Sequence, residues 1–171
     1  LNGGAYADSV PLLTRNSSFA AVAQYRIPNF KLDSYGVYTN EPVAGPFRGF
    51  GFQHPLWAIE CHMDMLAEEL GMDPLEFRKK NLLREGEANA TGEITHSIAV
   101  RQCLEKVAEF IEWGKPAESS PGPWRRGKGV ALGSKCGGAP NVCCAEVRVN
   151  EDGVIEVHHG ADELGQGSNT V

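Results

Sequence analysis

Residues 55–77 read PLWAIECHMDMLAEELGMDPLEF, and the spacing of their apolar side chains decides what kind of fold the rest of the chain joins. Leu56, Ile59, Met63, Leu66 and Leu70 recur three or four places apart, which lines one face of an α-helix. Pro55 is tolerated in a first turn, and Gly71 suits the left-handed residue that closes a helix. Asp73, Pro74 and Glu76 then supply the cap, N1 and N3 residues of a second helix reaching about Leu83. Glu60, Asp64, Glu68 and Glu69 fall away from the apolar stripe and are expected in solvent.

On either side the pattern changes. Upstream, residues 19–27 (FAAVAQYRI) and 31–39 (KLDSYGVYT) are predicted as two strands, the first from its alternation, with Pro28-Asn29 as a turn between them. Downstream, a third helix is expected from about Ile98 to Trp113, with Cys103, Leu104, Val107, Ala108 and Ile111 inward and Gly114 at its end. Residues 114–128 (GKPAESSPGPWRRGK) have no period and read as a linker. Beyond it, 129–138 (GVALGSKCGG) reads as a strand. Residues 144–160 (CAEVRVNEDGVIEVHHG) read as a β-hairpin that alternates through Val147 and Val149, turns at Asn150–Gly153 and returns through Ile155 and Val157. Strands, then helices, then fresh strands predict an α+β fold in two subdomains, 1–113 and 129–171, joined by 114–128.

The composition excludes several classes of function. Of the 171 residues, 42% are hydrophobic and 22% charged, which suits a globular protein rather than a disordered one. A net charge of −6, with basic residues clustered only at Arg125, Arg126 and Lys128, argues against nucleic acid. No apolar run reaches membrane-spanning length and no signal peptide is visible, so no membrane span is expected. Five cysteines without regular spacing read as reduced thiols of a cytoplasmic protein. Cys136, Cys143, Cys144, His158 and His159 lack zinc spacings, and neighbours on a strand point to opposite faces. The sequence starts at Leu1 and ends barely one turn past a helix start at Ser168, so it is expected to be a segment of a longer polypeptide.

Two glycine-rich stretches could carry chemistry. In 45–51 (GPFRGFG) the glycines bare backbone N–H groups, Arg48 could make paired bonds to phosphate or oxo groups, and Phe47 or Phe50 could wall an aromatic ligand. A plain strand-to-helix turn, with both phenylalanines in the core and Arg48 in solvent, is the competing reading. In 160–170 (GADELGQGSNT) a strand gives way to a helix start, a position that favours an anion, and Gln166 stands between Gly165 and Gly167. An ordinary capped turn is the alternative there. Asp162 and Glu163 are expected to accept hydrogen bonds within their own turn, ahead of the alternative that they support a ligand contact from behind. No triad or nucleophile motif is present.

Taken together, Phe47–Gly51, the helix with its acidic residues, Arg78–Asn81 (R.KN), Gly86-Glu87 and Gly160–Gly167 (GxxExGQG) form an ordered set across most of the chain. This set resembles the molybdenum-binding subunit of the xanthine dehydrogenase and aldehyde oxidase family. The resemblance implies an internal segment of a molybdopterin-dependent oxidoreductase that hydroxylates a heterocycle or aldehyde with oxygen from water. It implies a molybdenum–molybdopterin cofactor, in its cytosine dinucleotide form, met by Phe47, Arg48, Gly49, Gly165, Gln166 and Gly167, with Phe50 facing the substrate pocket. It implies no direct metal ligand here, and a base glutamate outside this chain. Iron–sulfur and FAD subunits or domains, with the rest of the large subunit, would be the partners, and the isolated segment is expected to be inactive. Gly49 stands where the carbon monoxide branch has a cysteine, which argues against that chemistry, and Arg15 gives no register for purine recognition. A truncated, non-catalytic relative serving as an assembly module is the rival expectation.

Overall fold

The computed structural model describes residues 1–22, 24–118, 122–135, 144–163, 165–168 and 170. They form two compact units, residues 1–135 and 136–171. The first carries α1 (Val10–Ala20), α2 (Gln53–Glu69), α3 (Pro74–Asn81) and α4 (Val100–Phe110); the second carries β1 (Ala145–Val149) and β2 (Ile155–His159).

The upstream strands are not formed. The chain is helical through Ala20, and beyond it Tyr25 makes an isolated bridge to Leu82 and Val37 one to Asn2. The helical register is visible in retrospect at Val10, Leu13, Ser17 and Ala20, which recur at spacings of three and four. Polar Asn16 and Ser17 are buried on this helix and interrupt its apolar stripe, which is why alternation at 19–27 looked stronger. Ala23 lies outside the described residues. Residues 1–5 instead hydrogen-bond alongside 37–44, with Gly3 N–H donating to Val37 O at 2.8 Å and Ala5 N–H to Glu41 O at 3.0 Å.

α2 and α3 appear where the spacing placed them, but α2 turns a different stripe inward. Glu60, Met63 and Ala67 are buried, whereas Leu66 and Leu70 are exposed. Glu60 therefore corrects the expectation of a solvated acidic face. Its Oε1 accepts from Tyr25 Oη at 2.5 Å and Gln24 Nε2 at 3.2 Å, and its Oε2 accepts from Arg78 Nε at 2.8 Å and Leu132 N at 3.0 Å. Arg78, fully buried, also donates from Nη1 to Asp64 at 2.6 Å and from Nη2 to Glu60 O at 3.0 Å. Burial alone would lower the Arg78 pKa, but the carboxylates of Asp64 and Glu60 outweigh it and raise it. Burial, and next the Glu60 carboxylate, push the Tyr25 phenol up, so it stays protonated and donates.

Met63, Ala67, Leu75, Phe77, Leu82 and Leu104 share one core with Ala108 and Val130. On α4, Leu104 and Ala108 face it, but Cys103 and Val107 are exposed, contrary to expectation, because the buried stripe of this helix is only two residues deep. Residues 129–135 form no strand and belong to the first unit, where Val130 is in the core and Leu132 packs against it; 136–138 lie outside the described residues. Lys135 ends this stretch over the ring of Phe52, 5.7 Å from its centroid.

Asp73 caps α3 by accepting from Leu75 N at 2.9 Å and Glu76 N at 3.1 Å, and it also accepts from Trp113 Nε1 at 2.9 Å. Its partial burial would raise the carboxyl pKa, but these bonds outweigh it and lower the pKa. A lowered folded-state pKa stabilises above the unfolded value and is lost as pH falls through the folded one. Asp73→Ala is thus expected to cost about 1 kcal/mol at neutral pH, measured by denaturant unfolding. The difference should shrink toward zero as pH drops below about 4.

In the second unit β1 and β2 pair antiparallel, with Val147 opposite Val157 and Val149 opposite Ile155. The turn closes by Gly153 N–H donating to Asn150 O at 3.0 Å, with Gly153 at φ +84°. This is the hairpin the alternation predicted, with its turn at Asn150–Gly153 as expected.

Candidate functional site

The Arg48 loop sits between α1 and α2. Two turns build it, Phe50 N–H donating to Phe47 O at 3.2 Å and Phe52 N–H to Gly49 O at 3.3 Å. Gly49, Phe50 and Gly51 all have positive φ, +113°, +52° and +93°. Two side chains of α1 hold this backbone: Asn16 Nδ2 donates to Phe50 O at 3.1 Å and Ser17 Oγ to Gly51 O at 2.7 Å. Gln53 Nε2 donates to Arg48 O. The position of Gly51 is sterically closed, since an added Cβ would lie 2.8 Å from Leu13 O and 3.1 Å from Ser17 Oγ.

The side chains of the loop face outward. Phe47 is 89% exposed, against the core placement of the plain-turn reading, and Arg48 is exposed. Phe50 is half-buried. A cavity of about 580 Å³ opens beside the loop, lined by Val10, Leu13 and Ser17 of α1, by Gly45, Phe47 and Gly51, and by Gln53 and His54 at the start of α2. The wall is mostly apolar with a few polar groups, the make-up of a small-molecule site. Asn16 and Ser17 were missed in the sequence because no element was predicted over residues 10–18, where they sit among the inward positions of α1. Arg15, on the same helix, is exposed and does not line the cavity.

The second loop, in the second unit, is built around its own acid. Glu163 Oε1 accepts from Gly165 N at 2.6 Å and from Gly167 N at 3.1 Å, with the two glycines at φ +92° and +87°. Gln166 Nε2 donates to Asp162 O and to Ser168 Oγ, both at 2.5 Å. Glu163 is thus a local turn acceptor, and Ser168 meets Gln166. Leu164 and Asn169 lie outside the described residues.

Among the described residues no group of three His, Cys, Asp or Glu side chains gathers as a metal would require. His158 Nε2 stands 3.5 Å from Glu156, and His159 Nδ1 accepts from Ala161 N at 3.2 Å. Cys61, Cys103 and Cys144 are free and exposed, while Cys136 and Cys143 lie outside the described residues. No helix among the described residues is long and apolar enough to cross a membrane.

In the first unit the residues present suit an anionic organic ligand, with Arg48 exposed on a loop braced from behind and a largely apolar cavity beside that loop. Comparison with known proteins points the same way. Two families, each described as a molybdopterin cofactor-binding domain, match residues 1–82 and 103–171. The xanthine dehydrogenase molybdenum-binding subunit of Escherichia coli O157:H7 is 40% identical over 142 residues, covering 78% of this chain and 19% of that protein. An aldehyde oxidoreductase of Megalodesulfovibrio gigas is 34% identical, covering 96% of this chain and 19% of that one. The solved aldehyde oxidoreductase of Desulfovibrio gigas superposes with a TM-score of 0.64 at 29% identity, over 92% of this chain and 18% of that chain. The chain spans 19% of the length of each of these two curated relatives.

Proposed function

Because the chain belongs to the xanthine dehydrogenase and aldehyde oxidoreductase family, as part of its molybdenum-binding subunit, we propose that it supplies two of the loops that hold a molybdenum–molybdopterin cofactor. The observation that carries this reading is the Arg48 loop: a cation presented on a strained, glycine-built turn whose carbonyls are tied back by Asn16 and Ser17. Bracing from behind fixes the loop before any ligand arrives, so binding does not have to order it.

Arg48 is the residue for an anionic oxygen of the cofactor, through charge-assisted bonds from a planar fork of donors. Gly49 lets the backbone approach closely. On the second loop Gln166 presents a carboxamide, with Gly165 and Gly167 keeping its flanks clear of side chains. Phe47 walls the cavity from the solvent side, and Phe50 faces the substrate, a flat heterocycle or an aldehyde. When bound, the cofactor, in its cytosine dinucleotide form, supplies the two-electron oxidation by which such a substrate is hydroxylated with oxygen from water. The base glutamate and the iron–sulfur and flavin centres belong to the rest of the enzyme, which we place in the cytoplasm. The two subdomains of this reading are 1–113 and 129–171, with 114–128 between them.

The test is the metal and pterin content of the purified full-length polypeptide, alone and as Arg48→Ala. One molybdenum per wild-type polypeptide is expected, and a drop of about tenfold in occupancy or rate in Arg48→Ala, the loss of one charge-assisted bond. A wild-type polypeptide free of molybdenum and stable by itself would instead indicate an assembly module.

A further inference from the structure

We propose that Glu163 is a positioning residue of the second loop: its carboxylate takes up the glycine amides itself and so fixes Gln166 for the cofactor. The proposal rests on the functional reading above and changes how the loop works within it. A glycine-rich bend with bared N–H groups would ordinarily receive the ligand's phosphate through those groups. Here one carboxylate oxygen already accepts from both, at 2.6 Å from Gly165 and 3.1 Å from Gly167. A phosphate approaching the same amides would meet a like charge.

The clamp has a consequence for Gln166. Gly165 and Gly167, both at positive φ, fold the backbone around Glu163, and Gln166 between them is carried on the bend. Its Nε2 is then pinned to Asp162 O and Ser168 Oγ. The loop therefore offers the cofactor a side-chain carboxamide on a stiffened turn, and the acid three residues upstream supplies the stiffness. The motif carrying glutamate, two glycines and glutamine is one folded unit, with the acid as its internal anion.

The experiment compares Glu163→Ala and Glu163→Gln in the full-length polypeptide, reading hydrogen exchange across 160–168 and molybdenum and pterin per chain. In Glu163→Ala the amides of Gly165 and Gly167 are expected to exchange about tenfold faster and cofactor content to fall about fivefold. Glu163→Gln, whose carboxamide oxygen can accept from the same two amides, should stay within about twofold of wild type on both readings. Unchanged exchange in Glu163→Ala overturns the clamp. Unchanged or raised cofactor content in Glu163→Ala, or a Glu163→Gln chain as empty as the alanine variant, overturns the positioning role. A wild-type chain without molybdenum would sink the functional reading alone, and the exchange measurement would still decide the clamp.

Discussion

Arg78→Ala is expected to lower the unfolding free energy by about 3–5 kcal/mol, the usual cost of removing one partner from a buried ion pair. The side chain it removes is fully buried and joins three parts of the first unit. Through Glu60 it reaches α2, through its own helix α3, and by the shared Glu60 carboxylate it is linked to Leu132 N in the stretch that follows α4. Without the guanidinium, Glu60 keeps the donors Tyr25, Gln24 and Leu132 but remains a buried carboxylate without a countercharge. Lys115→Ala, which breaks the exposed pair with Glu112 at 2.8 Å, is the control and should change stability by less than about 0.5 kcal/mol. Denaturant unfolding of both variants measures the contrast. An Arg78→Ala loss no greater than that of Lys115→Ala would mean that the network is not what ties α2 to α3.

Gly51→Ala should have the second largest effect, and it acts on the loop itself. At φ +93° a residue with a Cβ is strained, and here the added carbon would also press on Leu13 O at 2.8 Å. Backbone does not yield as the tip of a side chain does, so the loop must leave α1 and give up the bond from Ser17. A loss of about 2–4 kcal/mol is expected, combining backbone strain with overpacking. Cofactor content of the full-length polypeptide should fall with it. Gly71→Ala separates the two contributions: it has φ +62° but nothing within 4 Å of the added Cβ, and should cost about 1 kcal/mol. Equal losses at the two glycines would show that the packing of the loop on α1 contributes nothing.

What the sequence disclosed follows the range of the physics involved. The start of α3 was legible to the residue because its signal is local, Asp73, Pro74 and Glu76 standing within four positions, whereas the helix ends at Asn81, short of the expected Leu83. The hairpin was legible for the same reason, with alternation and turn both contained in 145–157. α1 was hidden because two of its inward positions are polar. Asn16 and Ser17 serve carbonyls 34 residues away, and no periodicity of apolar residues records that. Glu60 was misplaced on the solvent face because its countercharge comes from Arg78, 18 residues on, in another helix. Arg78 begins one of the stretches that carried the family resemblance, and the structure gives it a reason to be there that concerns the core.

The candidate site divides in the same way. The Arg48 loop was visible as glycine, arginine and phenylalanine together, and the structure adds the bracing from α1 and the neighbouring cavity. The second loop was visible as well, but its amides were read as donors to a ligand. Glu163 was expected as a local turn acceptor, but not that the amides it takes up would be those of Gly165 and Gly167 themselves.

The most direct test is a density map of the full-length polypeptide purified with its cofactor. The account predicts one pterin–molybdenum group within hydrogen-bonding distance, about 2.7–3.2 Å, of both the Arg48 loop and the Gln166 carboxamide. A cofactor touched by neither loop, or by one of them with the other turned to bulk solvent, would contradict it.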